Sequence, residues 1–148
     1  LVLAIAWGFA VLIPWSAMTA TLELAAWLMW GAVICWTLGF DTVYAIPDRE
    51  FDQRLGINSS AIFFGKRTPL AVTVFFTATA ALLAGVGIVM PLSWPYWLTL
   101  VGAIALWGRE GYLLGLYKPP PALYGKIFRQ NVLLGFVVLV GMILGCFV

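Results

Sequence analysis

Apolar residues fill this chain in five long runs, separated by four shorter stretches where polar residues, prolines and charges gather. The runs extend from Leu1 to about Met18, from Leu22 to about Tyr44, from Pro69 to Met90, from Pro95 to about Tyr117, and from about Tyr124 to Val148. None alternates strictly between polar and apolar positions, and all are longer than a barrel strand of roughly 9–11 residues. Each meets or approaches the ~20 residues that a helix needs to cross ~30 Å of hydrocarbon. Only helices and closed barrels satisfy every backbone polar group in lipid. The pattern predicts an all-α fold, a multi-pass transmembrane helical bundle of five spans.

Local chemistry marks the ends of these spans. Thr68-Pro69 and Trp94-Pro95 put a proline at a helix start, where its missing N–H costs nothing. Pro91 and the run Pro119-Pro120-Pro121 fall between spans, and Trp94, Tyr96, Trp97, Tyr117 and Tyr124 sit near span ends, as an aromatic belt does. Pro47 pushes Ile46 out of the helical region. The second span is therefore expected to end near Ala45, and a short helix to open at Pro47 and close near Gly56. Glycines including Gly85, Gly87, Gly111, Gly135 and Gly141 permit close helix approach, and Gly108 and Gly115 are spaced to form one smooth seam.

Composition removes most other classes. Hydrophobic residues make up 64% and charged residues 9% of the 148, with mean hydropathy +1.03. A soluble domain has about 45–50% apolar and about 25% charged residues, so the solvent is lipid. The absence of histidine excludes a Ser-His-Asp triad, an HExxH zinc site and His-ligated haem within this chain. Cys35 and Cys146 lie far apart in apolar runs and match no metal spacing or disulfide framework. A net charge of +2 offers no bulk attraction to nucleic acid. The chain starts inside an apolar run with no signal-peptide pattern, and the expectation is a piece of a longer membrane protein.

Charge fixes an orientation. Arg49, Arg54, Lys66 and Arg67 lie between the second and third spans, and Lys118, Lys126 and Arg129 lie around the start of the fifth. The other two linkers hold no Lys or Arg. The basic side is expected to face the cytoplasm. Arg109 and Glu110 fall inside the fourth span, where ionisable residues default to a functional hypothesis. A self-neutralising pair, with Arg109 snorkelling to the cytoplasmic side, is the favoured expectation.

Four of the six acidic residues occur between Asp41 and Asp52. Thr37, Asp41 and Tyr44 form one stripe at helical spacing. Asp48 and Asp52 are four residues apart, one above the other on a helix. Such carboxylates repel each other unless a cation lies beside them. Mg²⁺ suits them, because it takes one or two carboxylates and completes its shell with water and phosphate oxygens. With Arg49, Lys66 and Arg67 alongside, the pattern fits a diphosphate–Mg²⁺ site.

The stretch DTVYAIPDREFDQRLGINSSAIFFGK, Asp41 to Lys66, resembles the second aspartate-rich motif of the UbiA superfamily of intramembrane prenyltransferases. It looks most like the 4-hydroxybenzoate polyprenyltransferases, whose form is DTxYAxxDRxxDxxxGIxSxAIxFG. The five spans resemble that family's fifth to ninth helices, and FRQN at Phe128–Asn131 is similar to the start of its last helix. The resemblance implies that residues 1–148 are the carboxyl-terminal portion of a transmembrane prenyltransferase domain, with 41–67 as a cytoplasmic aspartate-rich active-site loop. Four amino-terminal helices and a first NDxxDxxxD motif would be missing, leaving the fragment inactive alone.

The implied reaction is Mg²⁺-dependent transfer from polyprenyl diphosphate to 4-hydroxybenzoate, in quinone biosynthesis of the ubiquinone or plastoquinone type. The implied place is a bacterial inner membrane, with the site on the cytoplasmic side. Asp48 and Asp52 would hold one Mg²⁺. Asp41 would bind metal through water or orient a basic neighbour. Tyr44 would face the isoprenoid cation or a phosphate, or serve as an interfacial tyrosine. Arg49 would bind diphosphate, with Lys66, or pair with Glu50 or Asp52. Two rivals stand beside this reading. One is transfer to homogentisate, dihydroxynaphthoate or chlorophyllide. The other is half of an ion-coupled transporter, although such sites usually lie near the midplane.

Overall fold

The computed structural model describes residues 2–116 and 119–147. The expected belt position of Tyr117 and the charge of Lys118 fall outside the described residues, as do Leu1 and Val148 at the expected outer ends. Five long helices occupy the places of the five runs: α1 (Val2–Thr19), α2 (Leu24–Tyr44), α5 (Thr68–Val89), α6 (Trp94–Leu114) and α7 (Ala122–Phe147). Between α2 and α5 lie two short helices, α3 (Arg49–Leu55) and α4 (Ser60–Phe64), and a 3₁₀ turn, Gly65–Arg67. The described residues contain no strand.

Pro47 separates α2 from the short helix α3 as expected but does not open α3: it lies in the turn, and Asp48 caps the helix. The second long helix stops at Tyr44, a turn carries Ile46 to Asp48, and α3 begins at Arg49. Pro69 and Pro95 each occupy the second rather than the first helical position, still inside the turn that lacks N–H acceptors.

Four helical runs are long and apolar enough to cross a membrane: α1, α2, the continuous stretch Ser60–Val89, and α7. The fourth expected span, α6, differs. Its 21 residues reach about 31 Å, but Trp94, Pro95, Tyr96 and Trp97 at one end and Arg109-Glu110 near the other dilute its apolar content. It is nevertheless packed within the bundle, between α5 and α7.

α2 is the hub. It packs along α5 and α1 and meets α7, while α5 packs on α6 and α6 on α7. Thus α2, α5, α6 and α7 close a four-helix ring, with α1 flanking it against α2. The ring is held by narrow seams recurring every three or four residues. On α7 the seam is Leu123, Ile127, Asn131, Leu134 and Val138; on α6 it is Leu100, Ala103, Trp107, Glu110 and Leu114. Positions off the seam are bare: Ile88 is 70% exposed and Phe136 64%. Such surface suits a lipid solvent, where the apolar face has no reason to hide.

Lipid also removes the usual hydrophobic drive between helices, so association rests on close van der Waals fit and internal hydrogen bonds. A Cβ added at Gly39 would lie 2.7 Å from the Phe76 ring, and one at Gly87 would lie 2.6 Å from the Tyr96 ring. Gly141 leaves the corresponding room for Thr99. The expected seam of Gly108 and Gly115 is absent: Gly108 faces open space, and Gly115 meets only carbonyls of its own helix. Several buried hydroxyls find partners on their own or the neighbouring helix, while Ser59 and Ser93 Oγ have none among the described residues. Thr42 donates to the Leu38 carbonyl at 2.6 Å and Thr79 to that of Phe75 at 2.9 Å, while Tyr96 donates to Leu83 at 2.6 Å. The Ser93 N–H donates to the Gly145 carbonyl at 3.0 Å, tying the α5–α6 turn to the end of α7.

Gly39→Ala should therefore destabilise the bundle by about 1–3 kcal/mol through overpacking against Phe76, whereas Gly108→Ala should be neutral or slightly stabilising. Thermal unfolding of the intact protein in detergent checks the contrast.

Candidate active site

Most of the basic residues gather at one end of the bundle, on the 45–67 loop and the first turns of α7, where Lys126 and Arg129 lie. The loop is built around α3. Asp48 is its N-cap, and the Asp48 carbonyl accepts the Asp52 N–H at 2.8 Å. That bond places the two aspartates one turn apart, as their spacing predicts. The Asp48 side chain makes no capping bond, and among the described residues no side-chain hydrogen bond occupies its carboxylate. Asp48 is exposed and Asp52 half-buried. Gly56 ends α3 with φ +69°, a left-handed turn that glycine adopts without strain. The next amide, Ile57, donates back to the Asp52 carbonyl at 2.9 Å.

Arg49 and Lys66 come together. Both line a small cavity of about 210 Å³, with Ile46, Gly65, Thr68 and Tyr124 among its walls. Gly65 has φ +56°, and a Cβ there would stand 3.7 Å from the Arg49 guanidinium. The paired cations and the paired aspartates thus share one loop, but Asp48 and Asp52 do not line the cavity. Residue spacing signals the aspartate pair; the meeting of Arg49 and Lys66, and its separation from the aspartates, is seen only in the fold. Among the described residues, no cluster of three or more Cys, Asp or Glu side chains forms a complete metal cage. Two carboxylates with room for further oxygens match the donor set of Mg²⁺, which is usually completed by water and phosphate rather than by protein alone.

The second feature is an apolar groove of about 500 Å³, walled by α1 and α7 and floored by α2. Trp7, Trp36, Thr37, Phe40, Phe136 and Leu139 are among its lining residues. Thr37 leads up the expected stripe. Asp41 lies one turn further and is half-buried, and Tyr44 follows at the helix end, 63% exposed. Aromatic contacts gather at this end of the groove: the Phe128 ring centroid is 4.7 Å from Phe40 and 5.8 Å from Tyr44. Tyr44 therefore stands at the groove's basic end with its ring partly packed.

Arg109 and Glu110 do not form the expected self-neutralising pair. Arg109 is exposed, while Glu110 is fully buried and accepts a bond from Asn131 at 2.9 Å through Oε2. Its Oε1 has no partner. Adjacent positions on a helix face different ways, which is why the two side chains part. The bonding role of Asn131 is missed by sequence reasoning, although an amide that opens the apolar run Val132–Val140 of α7 is the signal that could have found it.

The sequence profile of the UbiA prenyltransferase family matches residues 1–132. The chain belongs to this family. It is 54% identical over 145 residues to the 4-hydroxybenzoate solanesyltransferase of Synechocystis sp., covering 98% of this chain and 50% of the relative. The 4-hydroxybenzoate octaprenyltransferases of Methylobacillus flagellatus and Klebsiella pneumoniae are 38% and 34% identical, over 95% of this chain and 47% and 48% of their own lengths. The chain spans about half the length of these curated relatives. No solved structure matches it. Family membership lends no support to the transporter reading.

If Gly56 holds α3 in place, Gly56→Val should cost about 1–2 kcal/mol at this left-handed position and loosen the segment carrying both aspartates. Hydrogen exchange at the Ile57 amide should then accelerate about 10-fold; unchanged exchange would show that other contacts fix α3.

Proposed function

We propose that the protein containing this chain transfers a polyprenyl group from polyprenyl diphosphate to 4-hydroxybenzoate, as an Mg²⁺-dependent step of quinone biosynthesis. The observation that carries the reading is one arrangement. Paired carboxylates, a cavity lined by Arg49 and Lys66, and the aromatic mouth of an apolar groove lie at the same end of the bundle. These are the three chemistries of a lipid diphosphate: metal-binding phosphate oxygens, residual negative charge and a hydrocarbon tail. The relatives, which are 4-hydroxybenzoate polyprenyltransferases by name, suggest the acceptor.

Asp48 and Asp52 are the groups to hold Mg²⁺, with Asp41 acting through water or on a basic neighbour. When bound, the ion neutralises charge that develops on the diphosphate as its allylic C–O bond breaks. Arg49 and Lys66 take up the charge that remains, as charge-assisted donors. Tyr44 and Phe128 present ring faces where the allylic carbon becomes cationic. The acceptor ring carbon ortho to the phenol and meta to the carboxylate forms the new C–C bond, diphosphate departs, and that carbon loses its proton. Helix α1 and the groove exclude water, which would otherwise capture the cation. The basic end faces the cytoplasm of a bacterial inner membrane, and the other half of the protein completes the site.

In the intact enzyme, Asp48→Ala and Asp52→Ala should each lower kcat/KM by at least about 100-fold, measured as prenylated 4-hydroxybenzoate formed from solanesyl diphosphate. Near-normal transfer in both variants would remove the aspartates from the site. Parallel assays with homogentisate and dihydroxynaphthoate test the acceptor, and a preference for either would replace 4-hydroxybenzoate in this reading.

A further inference from the structure

Glu110 and Asn131 take no part in the chemistry proposed above, yet they form the most highly connected polar group inside the bundle. The Asn131 amide uses all of its hydrogen-bonding capacity. Its Oδ1 accepts from the Trp36 indole at 3.0 Å and from the Trp107 indole at 3.0 Å. Its Nδ2 donates to Glu110 at 2.9 Å and to the Ile127 carbonyl at 3.0 Å. Nothing remains on this side chain for a ligand, although Asn131 borders the groove.

The direction of the amide matters. Two indole donors require an oxygen on one side, and two acceptors require an NH₂ on the other. Glu110 supplies one of those acceptors from α6, although its own Oε1 is left without a partner at a fully buried position. An unsatisfied carboxylate oxygen is costly, and it makes Glu110 a poor choice for packing alone. The bond network ends at Trp36, which lies edge-on to Trp107, at 5.3 Å between ring centroids and 84° between planes. Trp107 in turn stacks on Phe76 of α5. Trp36 alone of the two indoles also faces the groove.

We propose that Glu110 and Asn131 are a positioning pair that fixes the Trp36 indole as a wall of the groove, and so determines how well the groove accepts a long isoprenoid chain. This rests on the reading of the groove as the site of the donor's hydrocarbon tail. Three structural consequences follow. Loss of the Asn131 oxygen releases Trp36. Loss of the Glu110 acceptor lets the amide turn over and present NH₂ to the indoles. A glutamine at 110 keeps an acceptor oxygen and needs no charge.

The test uses the intact enzyme with solanesyl diphosphate and, as a short-chain control, geranyl diphosphate. Asn131→Leu and Trp36→Phe should each raise KM for solanesyl diphosphate about 10-fold, with kcat and the KM for geranyl diphosphate changed less than about 2-fold. The double variant should be no worse than either single one, because both changes remove the same contact. Glu110→Leu should behave like Asn131→Leu, and Glu110→Gln should restore the wild-type KM. Trp36→Phe removes the N–H donor and keeps an apolar aromatic ring at this position, so it carries the test if the changes at 110 or 131 prevent folding. Equal effects on both donors, a loss confined to kcat, or additive effects in the double variant would overturn the proposal. A second readout is the tryptophan emission that Trp36→Phe removes. It should shift when solanesyl diphosphate is added to the wild type and not to Asn131→Leu; a shift of equal size in both also overturns the proposal. A wild-type enzyme that binds solanesyl diphosphate with this shift but prenylates no acceptor contradicts the prenyl-transfer reading and leaves the positioning pair standing.

Discussion

A bundle in lipid has no water with which to satisfy a stray polar group, and this constraint bears on each polar side chain buried inside it. Among the described residues Trp15 and Trp30 Nε1, Ser59 and Ser93 Oγ and Glu110 Oε1 are the buried side-chain atoms left without a partner. Threonine hydroxyls turn back onto their own helices, as Thr42 and Thr79 do. The amide of Asn131 is saturated by two indoles, a carboxyl and a carbonyl. The remaining carboxylates, apart from Glu23 at the opposite turn, are on or beside the loop at the basic end. Chemistry that needs charge is thereby confined to that end, and chemistry that needs hydrocarbon is left to the groove below it.

The same constraint shapes packing. Between helices in lipid, affinity comes from close contact, so Gly39 and Gly87 admit the rings of Phe76 and Tyr96. An outer surface can stay apolar wherever it meets acyl chains. The short helix α3 belongs to a different regime. It is held by a proline-bearing turn before it and a left-handed glycine after it, and it offers Asp48 without tying up the carboxylate. A loop of this kind sets direction by backbone geometry rather than by burial.

Much of this was legible before any coordinates. Five apolar runs gave five helices nearly residue for residue, because run length and flanking prolines are local signals. The break after Ala45 and the stop at Gly56 were equally local. The failures were all questions of neighbourhood. Arg109 and Glu110 look like a pair in sequence, but one helical step turns them apart. Gly108 and Gly115 have seam spacing on a face that no helix covers. Asn131 closes the FRQN segment, but only the meeting of α2, α6 and α7 shows that it anchors two tryptophans. The separation of the Arg49–Lys66 cavity from the two aspartates likewise depends on how the loop folds over α5 and α7.

The central claim is that acidic and basic groups at the end of an apolar groove grip a metal-bound lipid diphosphate. Calorimetric binding of solanesyl diphosphate to the intact protein, with Mg²⁺ and then with the metal chelated, addresses it most directly. The account predicts binding that chelation abolishes and that the Asp48→Asn/Asp52→Asn double variant does not show even in Mg²⁺. Binding of equal strength under all three conditions would contradict it.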